Sequence, residues 1–245
     1  MADPTRERFR QGILQWAEDN LRDFPWREPD RTLYEVFVAE FFLTQTPAEN
    51  VRSVYPDFLS KYPTIERLEE APQDEIEEVI EPLGFQRMRA EALTRIADRV
   101  DTLPADEDEL LELPRVGPYV ANATLCFALD QPRVIADRNV VRVYDRVFRE
   151  EFPEKESERR EFATEMLPED GSVARTYNLA LLDFGSRLYE AFTTLCKLFR
   201  ERVLFVLPFE HRGRVATSSG ANRVAYLEPY RTSQTISRII CSTSA

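Results

Sequence analysis

Two carboxylates stand out by where they sit. Glu40 lies in the middle of Thr32 to Thr46, a run that is apolar almost all round through Leu33, Val36, Phe37, Val38, Phe41, Phe42 and Leu43. Such a helix should be buried. An ionised carboxylate inside it is costly unless it is paired or faces a cavity. Burial raises the pKa and keeps the acid protonated near neutrality, the state a general acid needs. The competing reading is a buried Glu40 paired with an arginine. Asp137 is the second, in Val134-Ile135-Ala136-Asp137-Arg138-Asn139-Val140. It is placed either to cap the helix predicted over Arg138 to Phe148 or to do chemistry.

Eighteen residues before Asp137 is Tyr119, within Leu113-Pro114-Arg115-Val116-Gly117-Pro118-Tyr119-Val120-Ala121. This reads as a five-residue hairpin between two helices. Pro118 suits a first helical position, where a missing N–H costs nothing. Val120, Ala123, Thr124, Phe127 and Ala128 carry a helix on to about Leu129. Gly117 lets something large approach the backbone, and amides at a helix start attract phosphates.

The elements that must hold these groups are helical. A helix over 5–22 presents Phe9, Ile13, Leu14, Ala17 and Leu21 on one face. Phe24-Pro25-Trp26-Arg27 follows, with Trp26 read as a core plug. Pro47 opens a helix through Val51, Val54, Tyr55, Phe58 and Leu59. Two short acidic helices, Thr64 to Leu68 and Pro72 to Ile80, read as solvated faces. Gly84 reads as a helix C-cap; a helix then runs through Leu93, Ile96, Ala97 and Val100. Glu154 to Met166 and Ala174 to Gly185 supply two more.

Composition sets bounds. At 245 residues with only 7 Gly, the chain reads as mostly α with an ample core. No apolar run reaches membrane-spanning length and no signal-peptide pattern opens the chain, so a cytoplasmic protein without membrane contact is expected. Cys126, Cys196 and Cys241 form neither a disulfide framework nor a metal cage. A net charge of −12 looks wrong for a DNA binder. The cations are skewed, however: 29 Arg against Lys61, Lys155 and Lys197. Acidic, lysine-poor and arginine-rich usage resembles proteins of salt-loving archaea. At about 1 M salt the Debye length is about 3 Å, so long-range repulsion from DNA is screened and short-range contacts decide.

Hairpin, helix, proline-containing turn and aspartate, in this order and spacing, resemble the helix-hairpin-helix (HhH-GPD) DNA glycosylase superfamily. The resemblance covers about residues 8–187 and lies close to the A/G-specific adenine glycosylases and the archaeal T/G thymine glycosylases. It implies an all-α, two-lobed fold: a six-helix barrel over 28–132, and a second helical lobe from 1–27 plus 133–205. The stretch 206–245 is expected to be an aberrant, disordered tail. It implies a base-excision enzyme that hydrolyses the N-glycosidic bond of a mispaired base. Adenine opposite G or 8-oxoG is expected, with thymine or uracil opposite G as the alternative. Glu40 would protonate the base or activate water, and Asp137 would stabilise the oxocarbenium-like sugar.

Tyr119 stands where strand-cleaving relatives carry lysine, which implies a monofunctional enzyme. Gln45, in Glu40-Phe41-Phe42-Leu43-Thr44-Gln45-Thr46, falls where the family fills the gap left by a flipped base. Arg115, Val116, Gly117 and Tyr119 would hold a DNA phosphate. Main-chain carbonyls of Leu111, Leu113 and Val116 would hold a monovalent cation bridging to it. Arg115 replaces the family's glycine and would be strained if that position needs positive φ. The extra C-terminal domain of bacterial adenine-specific relatives is expected to be absent. The expected partner is mismatched double-stranded DNA, met as a monomer.

The family's [4Fe–4S] ligands, spaced C-x6-C-x2-C-x5-C, are not present, so no cofactor is expected. Leu188, Leu195, Leu198 and Leu204 have that spacing instead, and only Cys196 lies near a ligand position. From residue 188 the chain has no Asp and carries +4, against −16 before it. Each of the four leucines precedes a residue whose codons begin with T. CTG leucine codons would therefore read as cysteine one base later. This implies a frameshift between about Asp183 and Leu188, testable on the nucleotide sequence. A chain so altered could also be an inactive DNA-binding relative.

Overall fold

The computed structural model describes residues 4–206, with side chains through residue 190, and the expectation for the tail beyond 206 lies outside the described residues. The chain divides into residues 1–198 and 199–245. Of the second unit only the helical stretch 199–206 is described. Among the described residues the fold is all-helical, without strands. Its helices are α1 (Pro4–Asn20), α2 (Leu33–Leu43), α3 (Ala48–Lys61), α4 (Ile65–Glu69), α5 (Gln73–Val79) and α6 (Gln86–Ala97). They continue as α7 (Glu107–Leu111), α8 (Pro118–Leu129), α9 (Arg138–Phe148), α10 (Glu156–Met166) and α11 (Gly171–Val206).

Local chemistry sets the ends. Thr32 and Glu35 form a reciprocal capping box at the start of α2. Thr64, Asp106 and Asp137 cap α4, α7 and α9 with their side chains. Pro118 is the first residue of α8 and Leu129 the last, as the sequence predicts. The helix expected to reach Thr46 stops at Leu43. Thr44 turns extended, its hydroxyl donating to the Phe41 carbonyl, and Gln45 takes φ 59°. That left-handed corner ends the ladder.

Two clusters of buried side chains form the core. The first gathers Phe24, Trp26, most of α2, α3 to α6, and Leu110, Val120 and Leu125. The second gathers Ile13 and Ala17 with Val143, Tyr144, Phe162, Met166 and Tyr177 of α9, α10 and α11. α8 serves both: Val120, Ala121 and Leu125 face the first, while Ala123, Cys126 and Phe127 face the second. This is why α8 has no polar face. Tyr119, at its first turn, packs against both clusters. The seam between the clusters opens there.

Candidate active site

A cleft of about 240 Å³ lies at this seam, lined among others by Trp26, Arg27, Glu40, Tyr119, Asp137 and Asn139. That volume is just below the range of about 300–1,000 Å³ usual for ligand pockets. The three residues read from the sequence as chemically active therefore meet in one cavity, although up to 97 positions separate them.

Glu40 is 2 % exposed. It makes no ion pair among the described residues, so the paired-arginine reading does not hold; Arg27, the charge that acts on it, is bound elsewhere. Burial pushes its pKa up to about 7. A hydrogen bond from the Tyr119 hydroxyl to Oε2 (2.9 Å) and the Arg27 charge oppose the rise, and the Asp137 charge adds to it. With Oε2 accepting from Tyr119, Oε1 remains to carry the proton. Tyr119 itself stays neutral. Burial, then the charge and hydrogen bond of Glu40, hold its phenol far above the ordinary value.

Asp137 is both a cap and a cavity wall. Oδ1 accepts the backbone N–H groups of Asn139 and Val140, each at 2.8 Å. Oδ2 accepts the Asn139 side-chain amide at 3.1 Å. Burial raises its pKa, against these three donors and the Arg142 charge. Oδ1 takes both capping bonds, while Oδ2 accepts one bond and keeps acceptor capacity. Asn139 is held from behind by Gly185 of α11: a Cβ on Gly185 would lie 2.7 Å from the Asn139 carbonyl oxygen. The glycine is required by this close approach.

One cluster of three charged groups escaped the sequence reading. Asp183, fully buried, binds Arg22 and Arg27, both of which line the cleft. Burial raises the Asp183 pKa, but Arg27 and then Arg22 outweigh it, and the carboxyl sits below its usual range. The signal was present: an aspartate inside Leu179-Ala180-Leu181-Leu182-Asp183-Phe184 is as anomalous as Glu40 in α2.

The other expected residues lie outside the cleft lining. Gln45 is exposed, next to Thr46, which does line it. Arg115 is exposed and has φ 61°, so the strain anticipated for it is present. Gly117 has ordinary φ, and the space a Cβ would take is open. Val116 is turned inward at 7 % exposure, and its N–H donates to the Leu113 carbonyl. A carbonyl oxygen has a second lone pair, so Leu113 keeps acceptor capacity. First-turn amides of α8 have no acceptor within the helix.

Among the described residues no group of His, Cys, Asp and Glu could hold a metal ion. The positions with cluster spacing carry leucine, which has no ligand atom, and Leu188 packs on the second core cluster. These residues do not fit an iron–sulfur cluster. No helix of the described residues is long and apolar enough to cross a membrane.

Residues 38–169 match the family model of the HhH-GPD superfamily base excision DNA repair proteins. The chain belongs to this superfamily and is a DNA glycosylase. It is 33 % identical to the thymine/uracil-DNA glycosylase of Pyrobaculum aerophilum over 201 residues, covering 78 % of this chain and 87 % of that one. It is 32 % identical to the adenine DNA glycosylase of Mycolicibacterium smegmatis over 190 residues, covering 75 % and 64 %. A solved thermostable thymine-DNA glycosylase superposes with a TM-score of 0.67 at 31 % identity, covering 74 % of this chain and 86 % of that one. An endonuclease III–DNA complex shares the fold, with a TM-score of 0.63 at 21 % identity.

Proposed function

We propose that this glycosylase removes adenine from A·G or A·8-oxoG pairs in double-stranded DNA, acting as a cytoplasmic monomer without cutting the strand. The observation that carries this reading is Glu40, an acid still protonated near neutrality, at a cleft it shares with Asp137. A base inside a duplex is out of reach, so the nucleotide is flipped into the cleft. Glu40 donates its proton to N7 of adenine, making the base a better leaving group. Asp137, ionised, faces the oxocarbenium-like sugar and orients water. The split between a protonated and an ionised carboxylate parallels glycosidases. Tyr119 holds Glu40 and has no amine to form a Schiff base. No step passes through a metal cluster.

Gln45 fills the gap in the duplex, and Arg115 with the first-turn amides of α8 holds the backbone phosphate. The carbonyls of Leu111, Leu113 and Val116 are the proposed cation ligands at the same hairpin. Lobes at 28–132 and at 1–27 plus 133–205 are part of this reading: the first cluster falls in the former apart from Phe24 and Trp26, and the second draws most of its residues from the latter, with Val36, Ala123, Cys126 and Phe127 from the former.

A second reading, removal of thymine or uracil opposite G, is supported by the Pyrobaculum relative, which this chain spans over 87 % of its length. Duplexes with a single A·G, A·8-oxoG, T·G or U·G pair, incubated with protein and then cleaved with alkali, separate the two. Scission at adenine is expected. Scission only at T·G or U·G selects the second reading, and none at all means a non-catalytic DNA binder.

A further inference from the structure

Arg89 of α6 is 4 % exposed and has no carboxylate partner among the described residues. A buried guanidinium without a counter-charge is expensive, so its remaining contacts need a reason. Its Nη2 donates to the Thr44 carbonyl and to Thr46 Oγ1, both at 2.7 Å. These two acceptors flank Gln45, which stands between them at φ 59°. Thr46 is tied in turn, its hydroxyl donating to the Leu83 carbonyl at 3.2 Å. The base of α6 is itself a left-handed corner, with Gly84 at φ 74° and Phe85 at φ 53°. Burial and the nearby Arg115 charge both disfavour the cation.

A non-glycine residue persists at positive φ only where its surroundings over-determine it. Here a single amino group grips the chain on both sides of the strained residue. We infer that Arg89 is a positioning residue that clamps the 44–46 corner and thereby holds Gln45 outward, toward the duplex gap. The inference rests on the glycosylase reading and on Gln45 as its gap-filler. Without the clamp, Gln45 relaxes from the left-handed region and its side chain swings away from the gap.

The test does not depend on which base is excised. Affinity is measured by fluorescence anisotropy for a duplex carrying a tetrahydrofuran abasic-site analogue and for the intact duplex. Wild type is expected to prefer the abasic duplex. Gln45→Ala and Arg89→Met are each expected to reduce that preference by about tenfold, the scale of one hydrogen bond. Affinity for the intact duplex is expected to fall by less than affinity for the abasic duplex. The double variant loses no more than either single one, because both remove the same interaction. Arg89→Lys restores part of the preference. If Arg89→Met does not fold, Thr46→Val removes one of the two acceptors at constant shape and is expected to shift the preference the same way. Equal losses on both duplexes, or losses that multiply in the double variant, overturn the clamp. A wild-type protein with no preference overturns the reading of Gln45 on which it stands.

Discussion

Glu40 shows a conflict between stability and chemistry in a single side chain. Its pKa in the folded state, about 7, lies above the ordinary 4.5. The folded protein therefore holds this proton more tightly than the unfolded chain. The resulting stability is fully present below about pH 4.5 and is lost as pH rises through 7. Glu40→Gln mimics the protonated form permanently. Its melting temperature is expected to match wild type at pH 5 and to exceed it at pH 8, as thermal scans at the two pH values would show. Excision by Glu40→Gln is expected to fall by about 10²- to 10⁴-fold, the range for loss of a general acid. In the wild type the single-turnover rate falls above about pH 7, where the acid is spent. Asp137 separates differently. Asparagine is as good a helix cap as aspartate, but its amide nitrogen cannot accept from Asn139, so Asp137→Asn is expected to lower the melting temperature only by the scale of one hydrogen bond while losing excision. A variant that loses both equally would make Asp137 a cap only. Tyr119 predicts that borohydride traps no covalent complex with substrate DNA.

At the scale of elements, α8 and α11 place the chemistry. α11 presses Gly185 against Asn139, and Asn139 bonds Asp137. Gly185→Ala would force these backbones apart. Excision is expected to fall and the urea midpoint to drop, with a cost of about 1–3 kcal/mol for overpacking. The hairpin before α8 behaves in the opposite way. Arg115 occupies a left-handed conformation that costs a non-glycine residue about 1–2 kcal/mol. Arg115→Gly is expected to raise stability, less the extra entropy glycine brings to the unfolded chain. It also removes a phosphate contact, so the slope of log binding constant against log salt should shrink by about 1. A variant with unchanged slope would take Arg115 off the DNA.

At the scale of the whole molecule, the negative charge leaves DNA binding to local geometry. Many arginines are spent on internal pairs: Arg22 and Arg27 on Asp183, Arg133 and Arg160 on Glu107, and Arg31 on Glu28 and Glu35. The sequence by itself determined most of the helices, because capping residues, proline positions and apolar spacing act within a few residues of each other; it ran α2 on to Thr46, whereas that helix ends at Leu43. It also determined that Glu40 and Asp137 were anomalous, since a carboxylate in an apolar run is visible without coordinates. That Arg115 would be strained was legible only as a condition; the fold supplied the positive φ. Only the tertiary structure decided that Glu40, Tyr119 and Asp137 face one cleft, that Asp183 carries Arg22 and Arg27, and that Arg89 grips both sides of Gln45. Those contacts join residues tens of positions apart, with up to 161 between Arg22 and Asp183. Such pairings come from how α2, α8 and α11 pack around the seam between two cores, and no local pattern encodes them.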